Sequence, residues 1–120
     1  MKLKAKAHGV LDYIVVIFLF VSPTLFNLPM TTSIFTYILG FVHLGLTVTT
    51  DFPLGLVKLI PLKIHGIIEL VVSFALVGAA FVLQAMDGPI AKYFYLSFAA
   101  AVFLTWLMTD YKYQRSQSLI

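Results

Sequence analysis

The sequence predicts an all-α protein, a bundle of four transmembrane helices built from two parallel two-helix repeats. Hydrophobic residues make up 61% of the 120 positions and charged residues only 11%, so polar surface is too scarce to cover a water-soluble globule. The apolar residues fall into four runs of roughly 20 residues, the length that crosses a hydrocarbon core. A short polar motif near the N-terminus returns in the middle of the chain, which indicates that a two-helix unit occurs twice.

The repeated motif joins basic, histidine and acidic residues in a fixed order. Lys6-Ala7-His8-Gly9-Val10-Leu11-Asp12 matches Lys63-Ile64-His65-Gly66-Ile67-Ile68-Glu69, with each pair of matching residues 57 positions apart. A Thr-Asp pair closes each half, as Thr50-Asp51 and Thr109-Asp110, 59 positions apart. Four of the five acidic residues and two of the three histidines therefore occupy repeated positions. We interpret the chain as a single transmembrane domain, residues 1–120, with repeats at about 5–52 and about 62–111.

Prolines and glycines mark the ends of the predicted helices. Pro23 is expected near the end of the first helix, where the missing N–H of proline is tolerated. Pro53 follows the second helix and disfavours helical backbone at Phe52, while Asp87-Gly88-Pro89 is typical of a turn between the last two helices. These signals predict helices at 5–26, 33–51, 62–84 and 90–110.

Basic residues predict how the helices are oriented. Seven of the eight lie at the termini or in the middle linker, on one side of the membrane, and Lys92 lies on the other. Because cytoplasmic segments of membrane proteins are enriched in lysine and arginine, we expect a multi-pass protein with both termini in the cytoplasm. The net charge of +3 then reflects anchoring at the membrane surface, and we expect no nucleic-acid partner. The seven residues on the cytoplasmic side are Lys2, Lys4, Lys6, Lys58, Lys63, Lys112 and Arg115.

This topology brings the repeated polar residues to one membrane face, since helices one and three begin where helices two and four end. His8 and Asp12 are four residues apart, as are His65 and Glu69, so each pair lies on one face of its helix. Charged groups at the edge of the hydrocarbon need partners or water. We therefore expect one connected cluster at the cytoplasmic end of the bundle, formed by His8, Asp12, Asp51, His65, Glu69 and Asp110.

Two interpretations of this cluster remain open. Lys6 and Lys63 begin the repeated motifs, so contacts of lysine and histidine with carboxylates would form a polar seam between the hairpins. In that interpretation Gly9 and Gly66 let neighbouring backbones approach closely. Alternatively, two histidines and four carboxylates give the ligand count of di-metal carboxylate bundles. This suggests a divalent metal as cofactor, in a metal-binding membrane protein or in an enzyme with a His/carboxylate site. The spacing here is His-x-x-x-Asp/Glu, whereas those bundles use Glu-x-x-His.

A third interpretation uses the histidine outside the repeat. His43, Thr47 and Asp51 form an i, i+4, i+8 row on the second helix, reaching roughly 12 Å into the membrane at 1.5 Å per residue. Such a row would suit a proton or small-solute pathway. Catalytic residues are not predicted, because the sequence has no cysteine and shows neither a Ser/His/Asp row nor a phosphate-binding glycine loop.

Residues Leu19-Phe20-Val21-Ser22-Pro23, with the short loop and the second apolar helix that follow, resemble the SPW-repeat family of small bacterial integral membrane proteins. Thr24 stands where that family has tryptophan, and the resemblance covers about the first 50 residues. It implies a paired-helix unit in a bacterial inner membrane, and no site residues. Because the sequence shows no catalytic signature, we expect a binding or assembly module more than an enzyme. A bundle of 120 residues leaves much surface facing the lipid bilayer, so we expect a second copy or a larger membrane complex as a further partner.

Overall fold

The computed structural model describes residues 2–112 and is a bundle of four α-helices. They are α1 (Ala5–Leu25), α2 (Met30–Val48), α3 (Leu62–Asp87) and α4 (Pro89–Met108). Each helix is long and apolar enough to cross a membrane, so the predicted all-α, four-span bundle is confirmed. α1 packs along α2, and α3 packs along α4, which gives two hairpins.

The helix ends differ from the prediction at both ends of α2 and at the end of α3, which continues to Asp87 rather than ending at residue 84. α2 begins at Met30, earlier than predicted. Asp87, the last residue of α3, stabilises that start, because its Oδ2 accepts hydrogen bonds from the backbone N–H and the hydroxyl of Thr32, both at 2.6 Å. α2 ends at Val48 rather than at residue 51, since the chain leaves the helix there to form a strand.

Short parallel pairings, which the sequence did not predict, connect helix ends at one end of the bundle. β1 (Thr50–Asp51) pairs with β2 (Ile60–Pro61) just before α3. Leu3 forms a single parallel bridge with Thr109 after α4, through two backbone hydrogen bonds of 2.6 and 2.8 Å. Pairings of one or two residues are too short to show a strand pattern in the sequence. They place the start of α3 beside the end of α2, and the start of α1 beside the end of α4.

The bundle interior is apolar over most of its length. Leu19 from α1, Leu76 from α3 and Tyr95 from α4 are almost completely buried in one core cluster. Large apolar side chains such as Phe41 and Val71 are instead 67% and 61% exposed, and they cover the outside of the helices. An apolar outer surface is what a protein solvated by lipid requires.

Gly9 and Gly66 lie directly beneath aromatic rings. A Cβ added at Gly9 would lie 2.8 Å from the Phe52 ring, and one added at Gly66 would lie 2.9 Å from the Tyr111 ring. These glycines therefore permit a close approach, but by side chains that follow α2 and α4 rather than by the backbone of a neighbouring helix. The two rings lie at the end of the bundle where α1 and α3 begin.

We expect Gly66→Ala to destabilise the folded bundle by about 1–3 kcal/mol, because the added methyl group displaces the Tyr111 ring. Gly78→Ala on the same helix is the matched control, since nothing lies within 4 Å of its added Cβ. The control should leave stability unchanged or raise it by up to about 1 kcal/mol. Equilibrium unfolding in detergent micelles measures both changes, and equal stabilities for the two variants would contradict the tight packing at Gly66.

Candidate metal centre

Four side chains converge inside the bundle near the starts of α1 and α3. His8 and Asp12 come from α1, and His65 and Glu69 come from α3; we refer to these four as the His/carboxylate cluster. All four are buried, with exposed fractions between 0% and 6%. One ligand atom from each residue lies within 4.8 Å of the other three. The i, i+4 spacing accounts for this arrangement, because it places each histidine one turn from its acid on the inner face of the helix.

The two imidazoles and the two carboxylates contact one another in alternation. Nε2 of His8 lies 3.2 Å from Oδ2 of Asp12 and 3.1 Å from Oε1 of Glu69. Nε2 of His65 lies 3.2 Å from the same Asp12 oxygen and 3.3 Å from the same Glu69 oxygen. Each of these oxygens therefore contacts both histidines, and the cluster links α1 to α3 across the two hairpins.

Threonine hydroxyls hold the outer nitrogens of both histidines. Nδ1 of His8 lies 2.7 Å from the Thr109 hydroxyl, and Nδ1 of His65 lies 2.7 Å from the Thr50 hydroxyl. Each hydroxyl donates its own proton to the backbone carbonyl four residues earlier, at 2.5 and 2.6 Å. A hydroxyl has one proton, so both threonines accept a hydrogen bond from the histidine, and each Nδ1 carries a proton.

This tautomer decides what the inner nitrogens of the histidines do. A neutral imidazole with a proton on Nδ1 presents the Nε2 lone pair to two carboxylate oxygens, which is repulsive. The contacts become attractive when protons or a metal cation lie between these nitrogen and oxygen atoms. Oδ2 of Asp12 and Nε2 of His65 are 3.2 Å apart, yet neither makes an aligned hydrogen bond within residues 2–112. Nε2 of His8 and Oε1 of Glu69, in contrast, form a hydrogen bond of 3.1 Å. The Asp12 oxygen and the His65 nitrogen are therefore the two cluster atoms that a cation would satisfy.

Aromatic side chains cover the cluster at the end of the bundle. The Tyr111 hydroxyl donates a 2.5 Å hydrogen bond to Oε2 of Glu69, the second oxygen of that carboxylate. Burial and the negative charge of Glu69 raise the pKa of Tyr111, so its phenol stays protonated and remains a donor. The Phe52 ring is fully buried and lies beside His65, with 6.1 Å between ring centroids. These rings separate the cluster from solvent at this end.

Four of the six residues predicted for the site meet in the cluster, and two lie elsewhere. Asp51 is half-buried in β1, and Asp110 is exposed after α4, where its Oδ1 accepts the backbone N–H of Lys112 at 3.0 Å. The repeated Thr-Asp pairs contribute their threonines to the site instead. The reason is that adjacent residues of an extended segment point to opposite sides, so the threonine and the aspartate of each pair diverge.

Sequence reasoning missed four residues that surround the cluster. Thr50 and Thr109 belong to the repeat, but the sequence pattern predicts no role for them. Phe52 and Tyr111 were not connected with the site, although an aromatic residue follows each repeated threonine by two positions. That shared spacing is the signal that would have found them.

The polar row predicted on the second helix is shorter than expected. Nε2 of His43 lies 3.8 Å from Oδ1 of Asp12, so this histidine adjoins the cluster without a hydrogen bond to it. Thr47 directs its hydroxyl to the backbone carbonyl of His43 at 2.8 Å. Asp51 does not continue the row, because α2 has already ended.

The lysines of the repeated motif lie outside the cluster. Lys6 and Lys63 are exposed at the starts of α1 and α3. Within residues 2–112, the ion pairs of the cluster join histidines to carboxylates and include no lysine. The ion pairs by which the cluster joins the two hairpins are therefore made by the histidines and their acids.

We expect Thr50→Val to lower the stability of the folded protein by about 1–3 kcal/mol, because it leaves the Nδ1–H of His65 buried without an acceptor. Thr49→Val is the matched control, since the Thr49 hydroxyl bonds to the backbone at a more exposed position. The control should change stability by less than about 0.5 kcal/mol. Equilibrium unfolding in micelles gives both values, and a Thr49 effect as large as that of Thr50 would contradict the assigned role.

In comparisons with protein-family models, curated proteins and solved structures, no match to this chain was found.

Proposed function

We propose that this protein is a metal-binding membrane protein whose His/carboxylate cluster holds one divalent transition-metal ion. The ligands are Nε2 of His8 and His65, Oδ2 of Asp12 and Oε1 of Glu69. The observation that carries the proposal is the pair of hydrogen bonds from the histidine Nδ1 atoms to threonine hydroxyls. Histidines that bind metals almost always donate their other ring N–H to a fixed acceptor, which sets the tautomer and the ring orientation.

The spacing of the four ligand atoms supports a single small ion. Neighbouring nitrogen and oxygen atoms in the cluster are 3.1 to 3.3 Å apart. Ligands placed about 2.0 Å from a tetrahedral zinc ion lie about 3.3 Å from one another. Imidazole nitrogen suits zinc, copper, iron and nickel, and zinc also accepts carboxylate oxygen. Zinc is therefore our reference ion. The four histidine–carboxylate distances already match its tetrahedral spacing, and all four ligand atoms lie within 4.8 Å of one another.

Charge balance supports the same proposal. The carboxylates of Asp12 and Glu69 are buried, and uncompensated negative charge at the edge of the hydrocarbon is unfavourable by a few kcal/mol per group. One divalent cation neutralises both. Without the cation, a proton on each histidine Nε2 has the same effect. We therefore expect binding of the ion to release about two protons, since histidine must be neutral to act as a ligand.

The second candidate function is a metal-free binding or assembly module. It is favoured by the contacts of His8 with Glu69 and of His65 with Asp12, which join one hairpin to the other. In the protonated state these contacts are ion pairs that fix how the hairpins pack. The apolar outer surface would then meet lipid, a second copy of the chain or a larger membrane complex.

We also propose a bacterial inner-membrane location with both termini in the cytoplasm. The distribution of lysines supports it, as does the resemblance of residues 19–23 to the SPW-repeat family. Arg115, which belongs to the same argument, lies outside the described residues. A reporter that is active only outside the cytoplasm should give no signal when it is fused after Ile120, and a clear signal would overturn the orientation.

We expect the purified protein to contain about one zinc ion per chain after exposure to zinc. Asp12→Asn should weaken zinc binding by at least roughly tenfold, because it removes the charge of one ligand and keeps its size. Asp110→Asn is the matched control, since the same change at an exposed acid outside the cluster should leave zinc content unaltered. Elemental mass spectrometry gives the stoichiometry, and titration calorimetry in two buffers gives the number of protons released.

The metal-free alternative predicts a different pattern. In that case the protein does not bind one zinc ion per chain. Asp12→Asn then lowers the free energy of unfolding by the same amount with and without zinc. That result would contradict the proposed function. A melting temperature that rises with zinc in the wild-type protein, but not in the Asp12 variant, would support it.

A further inference from the structure

A cavity of about 130 Å³ lies between the four helices, directly beside the His/carboxylate cluster. Asp12 and Glu69 form part of its wall, and His43 forms another part. Most of the remaining wall is apolar and comes from every helix of the bundle. The residues that define this apolar part include Leu19, Leu39, Val72 and Phe98.

The cavity extends from the cluster toward the middle of the bundle. Along α1 its wall runs from Asp12 to Leu19, which is roughly 10 Å at a rise of 1.5 Å per residue. On the opposite side of the cluster, Phe52 and Tyr111 pack over the histidines. The cavity therefore adjoins the cluster on the side that faces the middle of the membrane. A molecule that dissolves in the bilayer is apolar enough to occupy it.

One end of this cavity offers a hydrogen-bonding position. Nε2 of His43 is buried and makes no hydrogen bond within residues 2–112. It lies 3.8 Å from Oδ1 of Asp12, which is too far for a direct hydrogen bond. A hydroxyl oxygen placed about 2.8 Å from both atoms satisfies both, because a hydroxyl donates one hydrogen bond and accepts others.

We propose that this cavity binds a small uncharged molecule that has an apolar body of about the size of benzene and a single hydroxyl group. The body lies among the apolar side chains, and the hydroxyl lies between His43 and Asp12. A dry apolar cavity of about 150 Å³ is known to hold benzene. The cavity here, at about 130 Å³, is slightly smaller, so a ring of that size is the largest apolar body that we expect it to hold. A charged molecule is excluded, since burying its charge in an apolar cavity is unfavourable. The inference rests on the proposed function in one respect: the metal engages Oδ2 of Asp12 and leaves Oδ1 as the acceptor.

The test uses phenol as the probe and benzene as the comparison ligand. Protein with isotope-labelled leucine and valine methyl groups is titrated with each compound in detergent micelles, both zinc-loaded and zinc-free. We expect saturable shifts of the Leu39 and Val72 methyl signals on addition of phenol. The Val71 methyls face outward and serve as the control. Ligand that dissolves in the detergent shifts their signals without saturation.

A matched pair of variants locates the binding. Val72→Phe places a ring in the cavity and should abolish the saturable shifts at Leu39. Val71→Phe adds the same ring to the adjacent, exposed position and should leave them intact. A wild-type circular dichroism spectrum and a cooperative melting transition show that both variants fold. Saturable binding that survives Val72→Phe in a folded protein would overturn the proposal.

A third variant tests the hydrogen-bonding end. His43→Phe keeps a ring at this position and removes its nitrogen atoms, so phenol should bind roughly three- to tenfold more weakly while benzene is unaffected. Equal losses for phenol and benzene would contradict the placement of the hydroxyl.

The two proposals fail in different ways. Zinc binding at 1:1 without saturable phenol shifts in the wild-type protein overturns the cavity proposal and leaves the metal centre standing. Saturable phenol binding without zinc binding retains the cavity as a site and overturns the proposed metal function.

Discussion

Two carboxylates buried among apolar helices require two positive charges, and the structure at this end of the bundle depends on that requirement. Asp12 and Glu69 have almost no exposure to solvent, and the described lysines of the repeated motif stay outside. The positive charge must therefore come from protons on His8 and His65 or from a divalent cation between them. The threonine hydroxyls hold the Nδ1 protons, so both Nε2 atoms face the same two oxygens and each can either carry a proton or bind the cation.

The local fold serves to hold this arrangement in place. The pairing of β1 with β2 brings Thr50 beside His65 of α3, and the bridge from Leu3 to Thr109 brings Thr109 beside His8 of α1. Gly9 and Gly66 then let the Phe52 and Tyr111 rings pack closely over the cluster. At the other end of the bundle, Asp87 joins the two hairpins by accepting hydrogen bonds from Thr32. The fifth acidic residue thus has a structural role, far from the cluster.

Composition and periodicity predicted the four helices and a cluster of six residues, of which four converge. The local strand pairing explains why the other two, Asp51 and Asp110, lie outside it. Apolar runs set the number of helices, and i, i+4 spacing put each histidine on the face of its acid. The repeat does not show which of two adjacent residues, such as Thr50 and Asp51, points into the bundle. The geometry of the strand decides that one of them faces inward. That geometry depends on Ile60, whose pairing the sequence did not reveal. The cavity beside His43 likewise arises from the packing of all four helices, which a single-helix pattern does not contain.

X-ray absorption spectroscopy of the zinc-loaded protein tests the central claim most directly, because it reads the ligands of the ion itself. We expect a first shell of four nitrogen and oxygen atoms at about 2.0 Å, with the outer-shell scattering of two imidazole rings. The His65→Gln variant should show the scattering of one ring. A spectrum of six oxygen atoms without imidazole scattering, unchanged by that substitution, would contradict the assignment of the His/carboxylate cluster as the metal centre.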